Sequence, residues 1–280
     1  MRLSLCNEVI RDMDFAAQCA FAAAVGYEAL EVAPFTLGED PHLMSQDRRA
    51  QVRRAMADAG LECSSLHWLL VTPEGLSITD PDAAVRARTV DVMRRLIGLA
   101  ADLDADVLVH GSPHQRRLVP GDEDASRKRA RDCFAAIAGD AEQAGVVYCV
   151  EPLADRETDY LNSLDEAAAL VRDIDSRGLR AMLDCASTSY MRPEPPGEIP
   201  WDEILDRWLP TGLIAHVQVN DASRRGPGEG EVRFAPVIAG LRRHGYGGWI
   251  AAEPFVYEPD GPACAARAAG YLQGLMEAIP

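Results

Sequence analysis

The chain has 280 residues, 48% of them hydrophobic, which is enough for one large α/β domain or two ordinary ones. Its formal net charge of −16 argues against a nucleic-acid partner, because a phosphate backbone is held by Lys and Arg side chains. No run of residues is long and apolar enough for a membrane span, and the N-terminal residues do not resemble a secretory signal. The seven cysteines are dispersed without a C-x-x-C pair, which indicates reduced thiols and a cytoplasmic protein.

Short apolar runs alternate with Ala-rich amphipathic stretches along the whole chain. The apolar runs are continuous, as expected for strands of a parallel sheet that is covered on both faces. The predicted strands are 3–6, 29–32, 62–66, 107–110, 147–150, 180–183, 214–219 and 249–252. The predicted helices are 14–25, 47–59, 82–101, 124–144, 163–174, 234–243 and 265–278. This pattern of strand–helix units predicts a single α/β domain over residues 1–280, folded as a (β/α)₈ TIM barrel.

Cap residues support these element boundaries. A glycine ends several helical runs just before a strand, as at a helix C-terminus: Gly60, Gly145, Gly178 and Gly245. Side-chain oxygens that can accept a free backbone N–H stand near several helix starts: Asp47, Asp82 and Ser163. No linker divides the chain, and we interpret the Pro-rich segment 191–200 as a loop after the sixth strand.

Polar side chains stand where several predicted strands end. In a TIM barrel the carboxyl ends of the strands face the active site, so polar residues there are candidates for function. Residues 216 and 218 lie two apart on one strand, and their side chains therefore share a face. The candidates are His67, His110, Glu151, Asp184, His216, Gln218 and Glu253.

Two of these carboxylates occur in the same local pattern. In "YCVEPL" and "WIAAEPF" an apolar run ends in a Glu that a Pro follows, and these are Glu151 and Glu253. Pro has no N–H for a ladder and favours an extended residue before it, so each strand ends at its Glu. One such acid alone more often caps a helix or pairs with Arg. Together with Asp184 and the Gln218 amide oxygen, however, they predict an oxygen-rich pocket for Mn²⁺, Mg²⁺ or Co²⁺.

On these residues the chain resembles the xylose-isomerase-like TIM-barrel superfamily of sugar isomerases and epimerases. It is similar to the D-tagatose and D-psicose 3-epimerases and the hydroxypyruvate isomerases of that superfamily. The resemblance lies in "VEPLADRETDYLNS", "MLDCAS", "HVQVNDASRRGPGEGE" and "GYGGWIAAEPF". It implies one divalent metal ion, Mn²⁺ before Mg²⁺ or Co²⁺, with the ligands Glu151, Asp184, Gln218 and Glu253.

The resemblance also implies that Glu157 and Arg224 contact the substrate. The chain departs from the epimerase pattern at two positions. Gln218 stands where the epimerases usually have a His ligand, as it does in the "HVQ" of hydroxypyruvate isomerases, and Ser187 replaces a substrate-binding His. The departure at Ser187 weighs against C3 epimerisation of a ketohexose.

The implied activity is isomerisation or epimerisation of a small sugar, keto-sugar or hydroxy-oxo acid through a metal-stabilised enediolate. Glu151 and Glu253 would act as acid and base, and we assign His67 and His216 to substrate binding. Three alternatives stay open: an inosose-type dehydratase on the same site, an endonuclease IV-like barrel, and a metal-free binding or scaffold protein. The acidic charge and the few histidines weigh against the endonuclease type. Association into a homo-oligomer is left open.

Overall fold

The computed structural model describes residues 1–190 and 199–279. Within them, parallel strands form a closed barrel in chain order, and the last strand pairs with the first. The predicted fold class, an α/β TIM barrel, is confirmed. The strands are β1 Arg2–Cys6, β2 Ala29–Val32, β3 Glu62–Leu66, β4 Val107–His110, β5 Val147–Val150, β6 Leu179–Asp184, β7 Ile214–Val219 and β8 Trp249–Ala252.

Helices lie between the strands along the chain and cover the outside of the barrel. In the described ranges they are α1 Phe15–Ala24, α2 Gln46–Asp58, α3 Ala83–Asp102, α4 Glu123–Ala144, α5 Leu164–Ile174, α6 Cys185–Tyr190, α7 Trp201–Trp208, α8 Phe234–Arg243 and α9 Gly261–Ala278. None of the described helices is sufficiently long and apolar to cross a membrane. All seven cysteines are buried, and none of them forms a disulfide.

Several local predictions need correction. Ser45, not Asp47, accepts the backbone N–H at the start of α2, whereas Asp82 and Ser163 cap their helices as predicted. Asp175 in the left-handed region ends α5 in place of Gly178. Gly178 is needed for packing instead, because a Cβ there would lie 2.2 Å from the Ala138 carbonyl oxygen.

The region after the sixth strand also differs from the prediction. Strand β6 is longer than 180–183, and helix α6 begins immediately after it, at Cys185. Helix α7 was not predicted either. Of the predicted loop 191–200, residues 191–198 lie outside the described residues.

Apolar side chains pack on both faces of the sheet. One face packs against the helices, and the interior of the barrel holds a separate small cluster of Val107, Val109, Cys149 and Met182. Glu151 comes two residues after Cys149, and Asp184 two after Met182. Because strand side chains alternate between faces, both acids point into the barrel at its carboxyl end.

Candidate active site at the carboxyl end of the barrel

The predicted acids from strands β5, β6 and β8 meet at one cavity. Glu151, Asp184 and Glu253 all line it, and they are only 8%, 3% and 3% exposed. Glu157 and Arg224, the predicted substrate contacts, line the same cavity. The remaining lining residues are Leu153, Arg156, Ala186, Ser187, Asn220 and Phe255.

Burial raises the pKa of all three acids. It lifts the pKa of Glu151 well above its usual range, and the neighbouring Asp184 and Glu253 carboxylates add to the shift. It raises the pKa of Asp184 to about 7, and that of Glu253 to about 8 although a hydrogen bond with His67 opposes it. The three groups are therefore close enough to repel one another when ionised, and a bound cation would relieve this repulsion.

Asp184 and Gln218 each present a buried oxygen without a donor. The Asp184 Oδ1 atom accepts the Ser187 backbone N–H at 2.6 Å, because helix α6 begins directly after the strand. Its Oδ2 atom and the Gln218 Oε1 atom have no hydrogen-bond partner. The two residues are register partners across β6 and β7, so their side chains start at the same level of the barrel. Buried oxygens normally find partners, and a cation is one that would satisfy both.

Glu31 on β2 is a fully buried carboxylate that contacts two side chains of β7, His216 and Gln218, across the interior of the barrel. Its Oε2 atom lies 2.6 Å from His216 Nε2, and its Oε1 atom accepts Gln218 Nε2–H at 2.5 Å. The Ser65 hydroxyl donates to Oε2 at 2.5 Å. Burial alone would raise the pKa of Glu31, but His216, His67 and Ser65 lower it to about 2, with His216 contributing most. Sequence reasoning missed Glu31, although a Glu inside the apolar strand "ALEV" was a signal.

His67 is also held between carboxylates. Its Nε2 atom lies 2.9 Å from Glu8 Oε2, and its Nδ1 atom lies 3.0 Å from Glu253 Oε1. Burial would lower the pKa of His67, but these two acids raise it well above the usual range. Neither His67 nor His216 lines the cavity, nor does Gln218, and both rings contact acids of the protein. Their role as substrate contacts stays a prediction.

Trp68 links the cavity to an aromatic rim. Its indole N–H donates to Glu253 Oε1 at 3.0 Å, so the same oxygen is contacted by both Trp68 and His67. The ring is 37% exposed and lies 6.1 Å from the rings of Phe35 and Phe255. Its backbone has a φ of 52°, an uncommon value for a residue other than Gly. Glu253 is therefore fixed through one oxygen, and Oε2 is left for other partners.

Loop residues complete the rim. The Arg224 guanidinium lies over the Phe255 ring at 5.0 Å, and the Arg224 carbonyl accepts the Phe255 and Val256 backbone N–H groups. Arg225 instead forms an ion pair with Glu258.

His110 is a buried residue of the barrel wall: its Nδ1 atom lies 2.8 Å from the Tyr148 hydroxyl, and burial lowers its pKa to about 3.

In the described part of this region, buried acidic side chains outnumber buried basic side chains. The acids are Glu8, Glu31, Glu151, Asp184 and Glu253, and the basic residues are His67, His216 and Arg116. Unpaired buried charges are costly, so the residues present fit a bound divalent cation.

Four buried residues of the described ranges offer potential ligand atoms within 4.8 Å of one another: Cys6, Glu8, His67 and Glu253. This group shares Glu253 with the predicted ligand set. Both nitrogens of its imidazole are already engaged with carboxylates, so a metal ion there would have to displace one of them. The predicted set, which has only oxygen donors, suits Mn²⁺ or Mg²⁺ better, since these ions prefer oxygen to sulfur.

Gly111 gives Glu151 the space for its carboxylate. A Cβ at residue 111 would lie 1.7 Å from Glu151 Oε2. Because Glu151 is a predicted metal ligand, Gly111→Ala should displace its carboxylate and weaken Mn²⁺ binding by about tenfold or more, since metal sites tolerate little misplacement of a ligand. Titration calorimetry measures the affinity. The matched control is Gly139→Ala in α4, where a Cβ meets nothing within 4 Å. Equal affinities in the two variants would contradict this role.

The family model described as xylose isomerase-like TIM barrel matches residues 19–275. The chain belongs to this family. It is 28% identical to the D-psicose 3-epimerase of Agrobacterium fabrum, over 84% of this chain and 77% of that protein. It is 28% identical to the L-ribulose 3-epimerase of Mesorhizobium japonicum, over 73% and 66% of the two chains. A 2-oxo-tetronate isomerase of Cupriavidus necator is 27% identical, over 61% and 64%.

Solved structures of this family share the fold over the whole chain. A D-psicose 3-epimerase solved in the presence of D-fructose superposes with a TM-score of 0.82 at 20% identity, covering 99% of both chains. A 3-keto-D-glucoside 4-epimerase from E. coli gives 0.80 at 18% identity, also over 99% of both chains. The predicted family resemblance is confirmed. The relatives are epimerases and isomerases of small sugars, which confirms the prediction of an enzyme at the level of the family.

Proposed function

We propose that the protein is a divalent-metal-dependent isomerase or epimerase of a small sugar, keto-sugar or hydroxy-oxo acid. The observation that carries the proposal is the meeting of three buried acids with raised pKa values at one cavity. The family relatives, which act as sugar epimerases and isomerases, support the same class of reaction.

Glu151 and Glu253 are proposed as the groups that exchange the substrate proton. They follow β5 and β8, strands that are not neighbours in the barrel, and so they can approach a ligand from different sides. Burial raises the pKa of both groups, that of Glu253 to about 8, and a carboxyl group with a raised pKa can donate a proton as well as accept one. Because the contacts from His67 and Trp68 engage Oε1 of Glu253, its Oε2 atom is the one available for this exchange.

Glu151, Asp184, Gln218 and Glu253 are proposed as the metal ligands, in line with the buried oxygens of Asp184 and Gln218 that lack donors. When bound, the ion would supply Lewis-acid polarisation of the substrate carbonyl, which acidifies the neighbouring C–H. Glu157 and Arg224 would bind substrate oxygens at the mouth, where both line the cavity. Burial of the acids limits competing contacts with water.

A dehydratase of the inosose type is the second candidate, because it starts with the same proton removal. The chain also departs from the epimerase pattern at Ser187, which lines the cavity, and at Gln218 on β7. Short hydroxy-oxo acids are therefore among the substrates to be tested. An isomerase or epimerase keeps the elements of water in its product, whereas a dehydratase loses them.

The experiment incubates the Mn²⁺-loaded protein in D₂O with ketoses, hydroxy-oxo acids and an inosose, and follows them by NMR. Deuterium uptake at the carbon next to the carbonyl, with an isomeric product, is expected for one member of the panel. Loss of water from the inosose alone would assign the dehydratase. No deuterium uptake by any of them, with bound metal verified, would contradict proton-exchange chemistry on these substrate classes.

The raised pKa values predict how the metal-free protein responds to pH. The pKa of Asp184 moves from 3.8 to about 7 and that of Glu253 from 4.5 to about 8. At a pH between its two pKa values, each carboxyl group is ionised in the unfolded chain but protonated in the folded protein. The free energy of unfolding should therefore fall as the pH rises from about 5 to 8. Denaturant titrations in EDTA measure this slope. Asp184→Asn should reduce it, and an unchanged slope in that variant would exclude Asp184 as its source.

A further inference from the structure

The Gln218 side-chain amide forms a hydrogen bond through its nitrogen but not through its oxygen. Its Nε2 atom donates to Glu31 Oε1 at 2.5 Å, and its Oε1 atom is buried without a partner. Glu31 already receives the Ser65 hydroxyl and lies 2.6 Å from His216 Nε2, so it acts as a hydrogen-bond acceptor. A carboxylate accepts only, and the amide end that faces it must therefore be the NH₂ group.

The opposite orientation of the amide is unfavourable for the same reason. Turning the amide around would bring its oxygen to within hydrogen-bond distance of a buried carboxylate, two acceptors with no proton between them. It would also replace the buried, unpartnered Oε1 atom with an NH₂ group, and an N–H donor cannot bind a cation. Glu31 thus selects one of two amide orientations that have nearly the same shape.

We propose that Glu31 is a positioning residue that turns the oxygen of Gln218 toward the metal site. The inference rests on the proposed function, because it takes Gln218 as one of the metal ligands. Register pairing with Asp184 places Gln218 at the level of that ligand, and both residues carry an oxygen without a donor. Partners behind a ligand commonly set its orientation and change the metal affinity substantially.

The same geometry explains which side chains can stand at residue 218. The residue must offer an N–H toward Glu31 and a lone pair on its other side. Glutamine meets both demands, and so does a neutral histidine, which donates from one ring nitrogen and accepts at the other. Methionine and glutamate would lack the N–H, and leucine would lack both the N–H and the lone pair. Gln218 can therefore connect Glu31 to the metal at the position where the epimerase pattern has His.

The test measures the Mn²⁺ dissociation constant by titration calorimetry in wild type, Glu31→Gln and Ser65→Ala. Glu31→Gln keeps the shape but can donate as well as accept, so the Gln218 amide is no longer fixed, and the affinity should fall by about 10- to 100-fold. Ser65→Ala removes another hydrogen bond to the same carboxylate and should stay within about threefold of wild type. Equal affinities for wild type and Glu31→Gln would overturn the inference.

Two further variants separate positioning from charge and from folding. Glu31→Asp keeps the negative charge but withdraws it by one methylene, so its Mn²⁺ affinity should also fall, and this variant serves if Glu31→Gln does not fold. In a Gln218→Ala background, Glu31→Gln should cause no further loss, since Glu31 acts through Gln218. An additive loss would show that Glu31 acts by its charge alone and would reject the positioning role.

The outcomes also separate this inference from the proposed function. Wild-type protein that binds no Mn²⁺ in this titration would reject the metal-dependent function itself. Wild-type protein that binds Mn²⁺ with unchanged affinity after Glu31→Gln would reject only the role of Glu31. Circular dichroism of every variant verifies that the barrel is folded before the affinities are compared.

Discussion

Replacement of Glu151 or Glu253 by glutamine is expected to reduce exchange of the substrate α-proton with solvent by about 10²- to 10⁴-fold. Glutamine keeps the size of the side chain but cannot accept the proton, and acid–base groups contribute rate factors of this order. The reaction in D₂O, followed by NMR with the substrate that the panel identifies, measures the exchange. Retained exchange in either variant would remove that residue from the catalytic role.

Each variant must also be assayed for bound Mn²⁺, because both residues are proposed ligands. A loss of exchange in protein that still binds the ion assigns the loss to proton transfer. Glu62→Gln is the matched control, since Glu62 lies at the opposite end of the barrel in an exposed ion pair with Arg2. This control should retain wild-type exchange, and a similar loss there would show that the assay reports general damage.

Asp184→Asn is expected to weaken Mn²⁺ binding by at least about 100-fold. The change removes a negative charge and replaces one carboxylate oxygen with an NH₂ group, and the wild-type Oδ2 atom is one of the buried oxygens that lack a donor. Loss of a direct ligand should reduce the metal affinity at least as much as loss of a residue that hydrogen-bonds to a ligand. Calorimetric titration with Mn²⁺ gives the dissociation constants, and metal analysis of the purified variant gives the occupancy.

Comparison of Cys6→Ser with Asp184→Asn shows which of the two ligand groups binds the ion. Cys6 belongs to the alternative group with Glu8, His67 and Glu253, and it is absent from the predicted ligand set. This variant should bind Mn²⁺ within about threefold of wild type, because hard cations gain little from sulfur. The reverse result, with binding lost in Cys6→Ser and kept in Asp184→Asn, would place the ion in the group around Cys6.

The strands and the acids at their ends could be predicted because their signals are local. Glu151 and Glu253 follow apolar runs and precede Pro, and the structure brings both to one cavity with Asp184. Cap positions were less accurate, since Ser45 and Asp47 are equally suited by residue type and only the backbone path selects Ser45. Helix α7 was missed because it follows a Pro-rich segment that we interpreted wholly as a loop.

Glu31 and Glu8 could not be assigned from sequence because their partners are distant in the chain. The Glu31–His216 contact joins residues 185 apart, across the interior of the barrel. The search for polar residues at strand ends also passed over Glu31, which lies within its strand, and Glu8, which lies in a short 3₁₀ segment after β1. His67 and His216 were recognised as polar residues of the mouth, but their acidic partners were not.

Contacts across the interior tie the first four strands to the last four. Glu31 on β2 depends on His216 of β7, and His67 after β3 lies against Glu253 after β8. A half-barrel fragment, β1–β4 or β5–β8, would bury one member of each pair without its counterpart. Neither half should fold independently, and cleavage of the chain between the halves should yield a protein that survives only as a complementing complex of both fragments.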